Sequence, residues 1–465
     1  MDSRNNIKEI LKYHKNMTTS THIPEQYNED YKKLNEETGH LEPNWLKDIR
    51  AKAFQNLSKN GFPTKRKGNE KWKYTNISKL SKTSFSLQTI EDQNILKKDD
   101  FTNLVISNES WINIIFINGK LQTNLSGIEN LNPEITITKF SDSFNDPIKK
   151  QLIRDNLSKY SSSEQDGFTS LNTAFIRDGI LINIHENAEI ARPINLSFIS
   201  NSTEKPTVSY PRLLVIANKN STATIIENYI GDSSIQNFTN SVSEIILNDK
   251  SKISHYRLLN EGDNTFHIES SRVTLKTATV FESTSFSKSS KIGRYDLKVN
   301  IEGENSYCNL NGLYLTSGTQ HIDNYINIDH IKPKGTSRLN YKGILTEKSR
   351  AVFGGTVWVR EGAMKTDSIQ SDKNLLLSDE AEIDSKPALF IYADDVLCAH
   401  GATAGNIDPE TLFYMRSRGI DLQTASKLLI NGFASEIINK VDIPDLKKSL
   451  EKLFLESLPN YKLEF

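Results

Sequence analysis

From about residue 170 to residue 395 the sequence supplies one short β-prone run after another and no helical period of useful length. GILINIHENAEI, RLLVIANKNSTATIIENYI, SRVTLKTATVFESTSF and NSYCNLNGLYLTSGTQHIDNYINIDH are rich in Ile, Val, Thr and Leu, and Asn, Asp, Ser and Gly break them apart. The lack of intervening helices argues against an alternating α/β fold. A stretch this long then folds as a sandwich, a barrel or a β-helix. A sandwich of such length is large for one domain. A β-helix grows by adding coils, each burying its apolar face on the next. No clean repeat is visible, so the pattern alone leaves all three open.

The flanks differ from the middle. NWLKDIRAKAFQNLSKNG carries Trp45, Leu46, Ile49, Ala53 and Leu57 near helical spacing, and Gly61 and Pro63 stop it. DPIKKQLIRDNLSKY predicts a second helix with Pro147 at its start. Between them FTNLVISNESWINIIFINGKL reads as hairpin strands, with Asn118-Gly119 as the turn. After the β-rich stretch, Asp408-Pro409 opens a helix that stops at Gly419. A second helix places Leu422, Ala425, Leu429, Phe433, Ile437 and Val441 on one face, and a third begins at Asp442 and Pro444. Such a helical tail either caps the β-domain or docks a partner.

Composition removes several function classes. A chain of 465 residues is long enough for more than one domain. Its formal net charge of -1, and the acidic Glu70 close behind Lys65-Arg66-Lys67, do not suit a general nucleic-acid binder. The two cysteines, Cys308 and Cys398, can form neither a disulfide framework nor a four-cysteine metal or iron–sulfur site within one chain. The N-terminal MDSRNNIKEILKYHKN has no apolar core, and Asp2 and Glu9 interrupt any targeting helix. No apolar run reaches membrane-spanning length. The expected location is cytoplasmic, with no nucleic-acid or membrane partner.

The densest polar stretch is YADDVLCAHGATAGNIDPETLFYMRSRG. Asp394, Asp395, Cys398 and His400 fall within seven positions, and their donor types suit soft or borderline metals such as iron. In an extended segment Cys398 and His400 face the same way. They are either two ligands, or a Cys–His thiol pair, or a small buried residue beside a hydrogen-bonded structural histidine. Gly401 and Gly405 suit turns better than a phosphate cradle, because no Gly-rich loop carries a Lys-Ser or Lys-Thr. His321, Asp323 and Tyr325 alternate with Ile322, Asn324, Ile326 and Ile328, so they form either the polar outer face of a strand or a partner surface. His330 falls on the isoleucine face. Asp178, His185 and His267 are isolated and receive no role. Glu70-Lys71-Trp72-Lys73-Tyr74 has the character of a surface anchor. A carbohydrate-active β-helix enzyme usually wants paired carboxylates or a basic lyase residue along a groove, and the adjacent Asp394 and Asp395 would face opposite sides of a strand, a poor geometry for shared acid–base work.

The chain resembles the SufB/SufD family of iron–sulfur cluster assembly scaffolds. The blocks that carry the resemblance are, in order, GFPTKRKGNEKWKYTNI, LNTAFIRDGILINI, LNGLYLTSGTQHIDNYINIDH, YKGILTEKSRAVFGG, MKTDSIQSDKNLLLSDEAEIDSKPALFIYADDVLCAHGATAG and LFYMRSRGI. They cover nearly the whole chain. CAHGATAGNID followed by LFYMRSRGI is most similar to the SufD type, since SufB carries a Glu-rich segment where this chain has His400-Gly401-Ala402-Thr403. The resemblance implies a mainly β fold, a right-handed parallel β-helix core between an N-terminal mixed helical region and a C-terminal helical region. The expected layout is 1–165, 166–397 and 398–465.

It also implies a non-catalytic subunit of a SufBCD complex. The partner is a SufB-type scaffold joined through the β-helices, with a homodimer open to the isolated chain. SufC, an ABC-type ATPase, would dock on the C-terminal helices, and ATP would enter only through it. Sulfur would come indirectly from delivery proteins. A transient iron–sulfur cluster would form at the SufB interface. His400 is the implied cluster or metal ligand, or a local base, beside a SufB cysteine. Cys398 shares the motif with a less defined role, and Asp394 and Asp395 would tune local charge. Reduced flavin is compatible with the assembly, although no residue here marks a dinucleotide site. A homomeric, SufB-like scaffold is the alternative, and it would need Cys308 as a working thiol. A purely structural β-helix subunit is the other.

Overall fold

The computed structural model describes residues 23–39, 41–65, 69–87, 106–128, 131–161, 166–201, 205–231, 236–288 and 290–458. The polar N-terminal stretch 1–16, Arg66-Lys67 of the basic run and the first residues of the expected hairpin, 101–105, lie outside them. The chain forms two compact units, one from residues 1–84 with 162–177 and one from 85–161 with 178–465.

In the first unit the helices Gln26–Thr38, Asn44–Asn60 and Gly167–Ala174 share an aromatic core. Gly61 ends the second helix at φ 59°, a left-handed value that suits glycine. The buried face of that helix is Leu46, Arg50, Ala53 and Leu57, so an arginine takes the place expected for Ile49. Arg50 is tolerated there because its guanidinium is satisfied. It donates to both Glu42 oxygens (2.7 and 2.5 Å), to Asn35 Oδ1 (3.0 Å) and to the Ala174 carbonyl (3.2 Å). Trp72 corrects the surface-anchor reading: it is buried and packs on Phe168, with ring centroids 5.4 Å apart. Tyr74 keeps the expected arrangement, with the Lys73 ammonium 5.0 Å from its ring.

The second unit is a parallel β-helix of about eight turns. Successive strands alternate between a twelve-stranded and a ten-stranded sheet, and each pairs in parallel with the strand one full coil earlier. Coil length varies: Phe266 is in register with Ile292 and Thr336 with Asp367, so the later of these two coils is the longer. A left-handed residue turns each coil, and these positions, Asn220, Lys250, Ala278, Asn305, Lys334, Lys365 and Asp395, recur once per coil. The amides of Asn220, Lys250, Ala278, Lys334 and Lys365 join coil to coil, as Lys250 does to the Thr277 carbonyl (2.8 Å). The start of the unit is closed by antiparallel pairs. Ile112–Ile117 folds back on Lys120–Leu121 through Asn118-Gly119, whose φ values of 49° and 79° match the hairpin turn read from the sequence. Ile135–Lys139 runs antiparallel to Ile180–Ile184.

Register sets what lies inside. On the ten-stranded sheet one inward column runs Ala223, Ile253, Phe281, Cys308, Ser337, Ser368 and Cys398. The next runs Ile225, His255, Ser283, Leu310, Leu339, Gln370 and His400. A third begins with Glu227 and Arg257 and ends with Tyr341, Asp372 and Ala402. The early part of the interior is polar. Glu227 accepts from Tyr229 (2.8 Å) and Ser243 (3.0 Å) and lies 3.0 Å from His255 Nε2. His267, given no role by its sequence position, is clamped between Glu261 (3.0 Å from Nδ1) and Glu269 (3.1 Å from Nε2), and Arg257 donates to Glu269 (2.5 Å). A carboxylate at each ring nitrogen favours the doubly protonated imidazolium of His267. Asp178 and His185 are structural: Asp178 accepts from Ser141, and His185 is bonded to Thr136.

The C-terminal helices Pro409–Ser417, Leu422–Ile438 and Pro444–Ser457 pack on the outer face of the ten-stranded sheet. Asp408 and Asp421 cap the first two by accepting from the Thr411 and Thr424 amides (3.0 Å each). The buried stripe of the second is Ala425, Ile430, Ala434, Ile437 and Ile438, turned slightly from the expected one, with Leu422, Leu429 and Phe433 at its margin. Lys342 pins this helix by donating to Glu436 and to the Phe433 carbonyl (3.0 Å). Among the described residues no helix is long and apolar enough to cross a membrane.

The clamp around His267 makes stability depend on pH. Burial alone would push its imidazole down, but the Glu261 charge and the hydrogen bonds to Glu261 and Glu269 outweigh it and hold the pKa above the ordinary value. A raised folded-state pKa gives stability that is fully present below the unfolded value near 6.5 and is lost as pH rises through the folded value. His267→Gln is therefore expected to be less stable by about 3–5 kcal/mol in denaturant unfolding at pH 6, with the gap to wild type narrowing as pH rises. A gap that is constant with pH would contradict the imidazolium.

Candidate functional site

The last strand, Leu397–Gly405, pairs on one side only, with Asp367–Leu376. As the alternation of a strand requires, Cys398 and His400 share its inward face, about 6.5 Å apart along the chain. In earlier coils these columns are buried by the next coil. No further coil follows here, so His400 is exposed and Cys398 is only partly covered, resting against the edge of the apolar core. Cys398 is thus not the fully buried residue that spacing also allowed. Burial pushes the Cys398 thiol above its ordinary value, with a backbone hydrogen bond from Ser368 acting the other way. It is a thiol, not a standing thiolate.

Beneath this strand lies a polar floor. Gln370, in register with His400, places its Nε2 3.4 Å from His400 Nδ1 and donates to the Ala388 carbonyl on the opposite sheet (3.2 Å). Asp372 accepts from Ser385 (2.6 Å), Asn374 (2.8 Å) and Tyr314 (3.3 Å), and burial lifts its carboxyl to about 6. The rest of the last strand is small. Gly401 and Gly405 lie within it, which corrects their assignment to turns, and a Cβ at either position would meet nothing within 4 Å. Asp394 and Asp395 are in the turn before the strand, not on it, and Asp395 is left-handed at φ 53°.

Several exposed side chains of the last coils are apolar. Leu397 is 75% exposed, and Met364, Ile369, Phe390, Ile391 and Tyr392 are exposed with it. Trp358 and Phe390 stack with centroids 4.1 Å apart, and the Arg360 guanidinium lies 4.9 Å from the Trp358 ring. These outer aromatics were missed in the sequence, where the signal was the ALFIY run just before Asp394. An unpaired strand edge beside apolar side chains is a surface built to be covered.

Other expected residues fall elsewhere. Among the described residues no group of three or more His, Cys, Asp or Glu is placed to hold a metal ion. Among the described residues Cys398 and His400 thus offer two donors, and a metal bound there would need further ligands from elsewhere. Cys308 is fully buried in the core and burial pushes its thiol far up, which does not suit a working thiol. The outer row of His321, Asp323 and Tyr325 is not an open partner face. Asp323 is buried against Arg294, whose guanidinium lies 5.0 Å from the Tyr325 ring, and burial drives His321 down to about 4. His330 points inward, 2.9 Å from Ser337 Oγ, and burial likewise drives it to about 4.

Comparison with known proteins agrees with this architecture. Residues 198–433 match the family described as SUF system FeS cluster assembly, SufBD core domain, and residues 21–196 match the SufBD protein N-terminal region. An iron–sulfur cluster assembly SufBD family protein of Synechocystis is 30% identical over 397 residues, covering 83% of this chain and 86% of that protein. The iron–sulfur cluster assembly protein SufD of Escherichia coli is 29% identical over 411 residues, covering 87% and 92%. SufD of Bacillus subtilis is 24% identical over 431 residues, covering 88% and 93%. Family match, relatives and β-helix coincide over the same residues: this chain belongs to the SufBD family of iron–sulfur cluster assembly proteins.

Proposed function

We propose that this chain is a SufD-type scaffold subunit that supplies one side of a shared cluster-assembly site and is not itself an enzyme. The observation that carries the reading is the uncovered last coil. It presents an imidazole and a thiol on its inward face, a free strand edge, and a rim of exposed apolar side chains. A second β-helix of the SufB type is the natural cover, because it continues both the strand pairing and the apolar packing. The nascent iron–sulfur cluster is the substrate of that joint site. His400 supplies one donor, or takes a proton from an incoming thiol, and the partner supplies the remaining ligands. The near full-length match to proteins named SufD supports the choice of subunit, and the burial of Cys308 speaks against a homomeric scaffold that relies on it.

The C-terminal helices are the proposed seat of a SufC-type ATPase. Their inner face is used by the β-helix, while Phe413 and Tyr414 on the first helix are 75% and 58% exposed. ATP therefore acts on this chain through the partner, and sulfur reaches the site from delivery proteins bound elsewhere on the assembly.

Two outcomes follow. In the reconstituted complex with SufB- and SufC-type partners, His400→Ala is expected to lower iron and sulfide bound per complex by about tenfold or more, with the mass of the assembly unchanged. Equal yield would remove His400 from the chemistry. Phe413→Ala is expected to weaken binding of the ATPase at least roughly tenfold in calorimetry while the helix content stays constant. Unchanged affinity would move the ATPase seat off this helix.

A further inference from the structure

We propose that Gln370 is a positioning residue that confines the neutral His400 ring to its Nε2–H tautomer and so withholds the imidazole from a metal until the open end of the β-helix rearranges. The inference rests on the reading of His400 as a ligand and specifies how that ligand is kept latent.

The geometry leaves the Gln370 amide one orientation. Its Nε2 donates to the Ala388 carbonyl at 3.2 Å and faces His400 Nδ1 at 3.4 Å. A carbonyl only accepts, so the amide must present its NH2 group on that side. Turning it over would set Oε1 against the Ala388 oxygen, two acceptors at hydrogen-bond distance. The other end of the amide is confined as well. Gln370 is buried, its Oε1 has no hydrogen-bond partner, and a Cβ on Gly355 would come within 2.8 Å of that oxygen. His400 Nδ1 thus meets an N–H and must accept with its lone pair. A neutral imidazole has one N–H and one lone pair, so the proton sits on Nε2.

This is the reverse of what a metal site requires. A metal-bound imidazole donates its second ring N–H to a carboxylate or carbonyl, which turns the lone pair of the other nitrogen toward the ion. Gln370 offers a donor where an acceptor is needed. An iron ion that approaches Nε2 finds an N–H, and one that approaches Nδ1 finds the amide. For Nε2 to coordinate, the ring proton must pass through solvent to Nδ1 and Gln370 must withdraw. What holds Gln370 is the first residue of Ala388–Ile391, a strand of four residues paired on one side with Thr356–Val359. Two of its residues, Phe390 and Ile391, belong to the exposed rim. A partner that moves this strand thereby moves the carbonyl that fixes the amide, and ligand capacity is linked to docking.

The test uses the full-length, metal-free chain labelled with 15N-histidine, with the His400 signals assigned by their loss in His400→Ala. Long-range proton–nitrogen spectra at a pH where the ring is neutral report the tautomer directly. The expected result is Nε2–H in wild type, a mixture of tautomers in Gln370→Leu, and Nδ1–H in Gln370→Glu, whose carboxylate accepts. If Gln370→Leu does not fold, Gln370→Met serves in its place. With Co²⁺ as the probe, the Leu variant is expected to bind at His400 about three- to tenfold more tightly, the effect of removing one opposing hydrogen bond. An Nδ1–H ring in wild type, or a tautomer that Gln370 variants leave unchanged, overturns the inference. Co²⁺ binding that His400→Ala does not alter overturns the ligand reading instead, whatever the tautomer.

Discussion

In a parallel β-helix each coil is buried by the next, and the last coil has no next. Everything distinctive about this chain depends on that asymmetry. At the start of the β-helix the sheets are finished by antiparallel pairs, Ile112–Ile117 with Lys120–Leu121 and Ile135–Lys139 with Ile180–Ile184. At the far end Leu397–Gly405 is left with one neighbour, and two columns that are buried through the preceding coils emerge as Cys398 and His400. Their exposure is a consequence of position in the stack. The same columns carry Cys308 and His255 in earlier coils, where burial makes them structural.

Polar side chains inside the stack tie the two sheets together. Glu227, His255 and Arg257 come from the ten-stranded sheet, and His267 and Glu269 from the twelve-stranded one, so the Arg257–Glu269 contact crosses the interior. Gln370 and Asp372 do the same at the open end, reaching Ala388 and Ser385 on the opposite sheet. Apolar packing tolerates some slip, whereas each of these bonds is lost if a coil shifts by one residue. The last coil is held by strand pairing with Asp367–Leu376, by apolar side chains such as Leu389 and Val396 against the core, and by these polar ties between the sheets.

Much of this was legible in the sequence, for identifiable reasons. The Asn118-Gly119 turn, the Asp146-Pro147 and Asp408-Pro409 starts and the Gly61 stop are local chemistry, and each falls where expected. The β-helix was not separable from a sandwich by pattern, because coils of unequal length and turns built on Asn, Lys, Ala or Asp carry no fixed period. Family resemblance resolved what periodicity did not. The pairing of Cys398 with His400 on one face followed from alternation alone, while Gln370 beneath them, one coil earlier, depends on coil register and has no local signal. His267 and Trp72 were misjudged for the same reason. Glu269 is close to His267 in sequence, but Arg257, which fixes Glu269, and Phe168, which covers Trp72, come from other elements.

The central claim, that the uncovered coil is the surface a second β-helix closes, is tested most directly by hydrogen exchange on the full chain with and without a SufB-type partner. Amides of Ala388–Ile391 and Leu397–Gly405 that lack a strand neighbour are expected to exchange within seconds in the chain alone and to become strongly protected in the complex. Protection confined to other surfaces, with these two strands still exchanging freely, would contradict it.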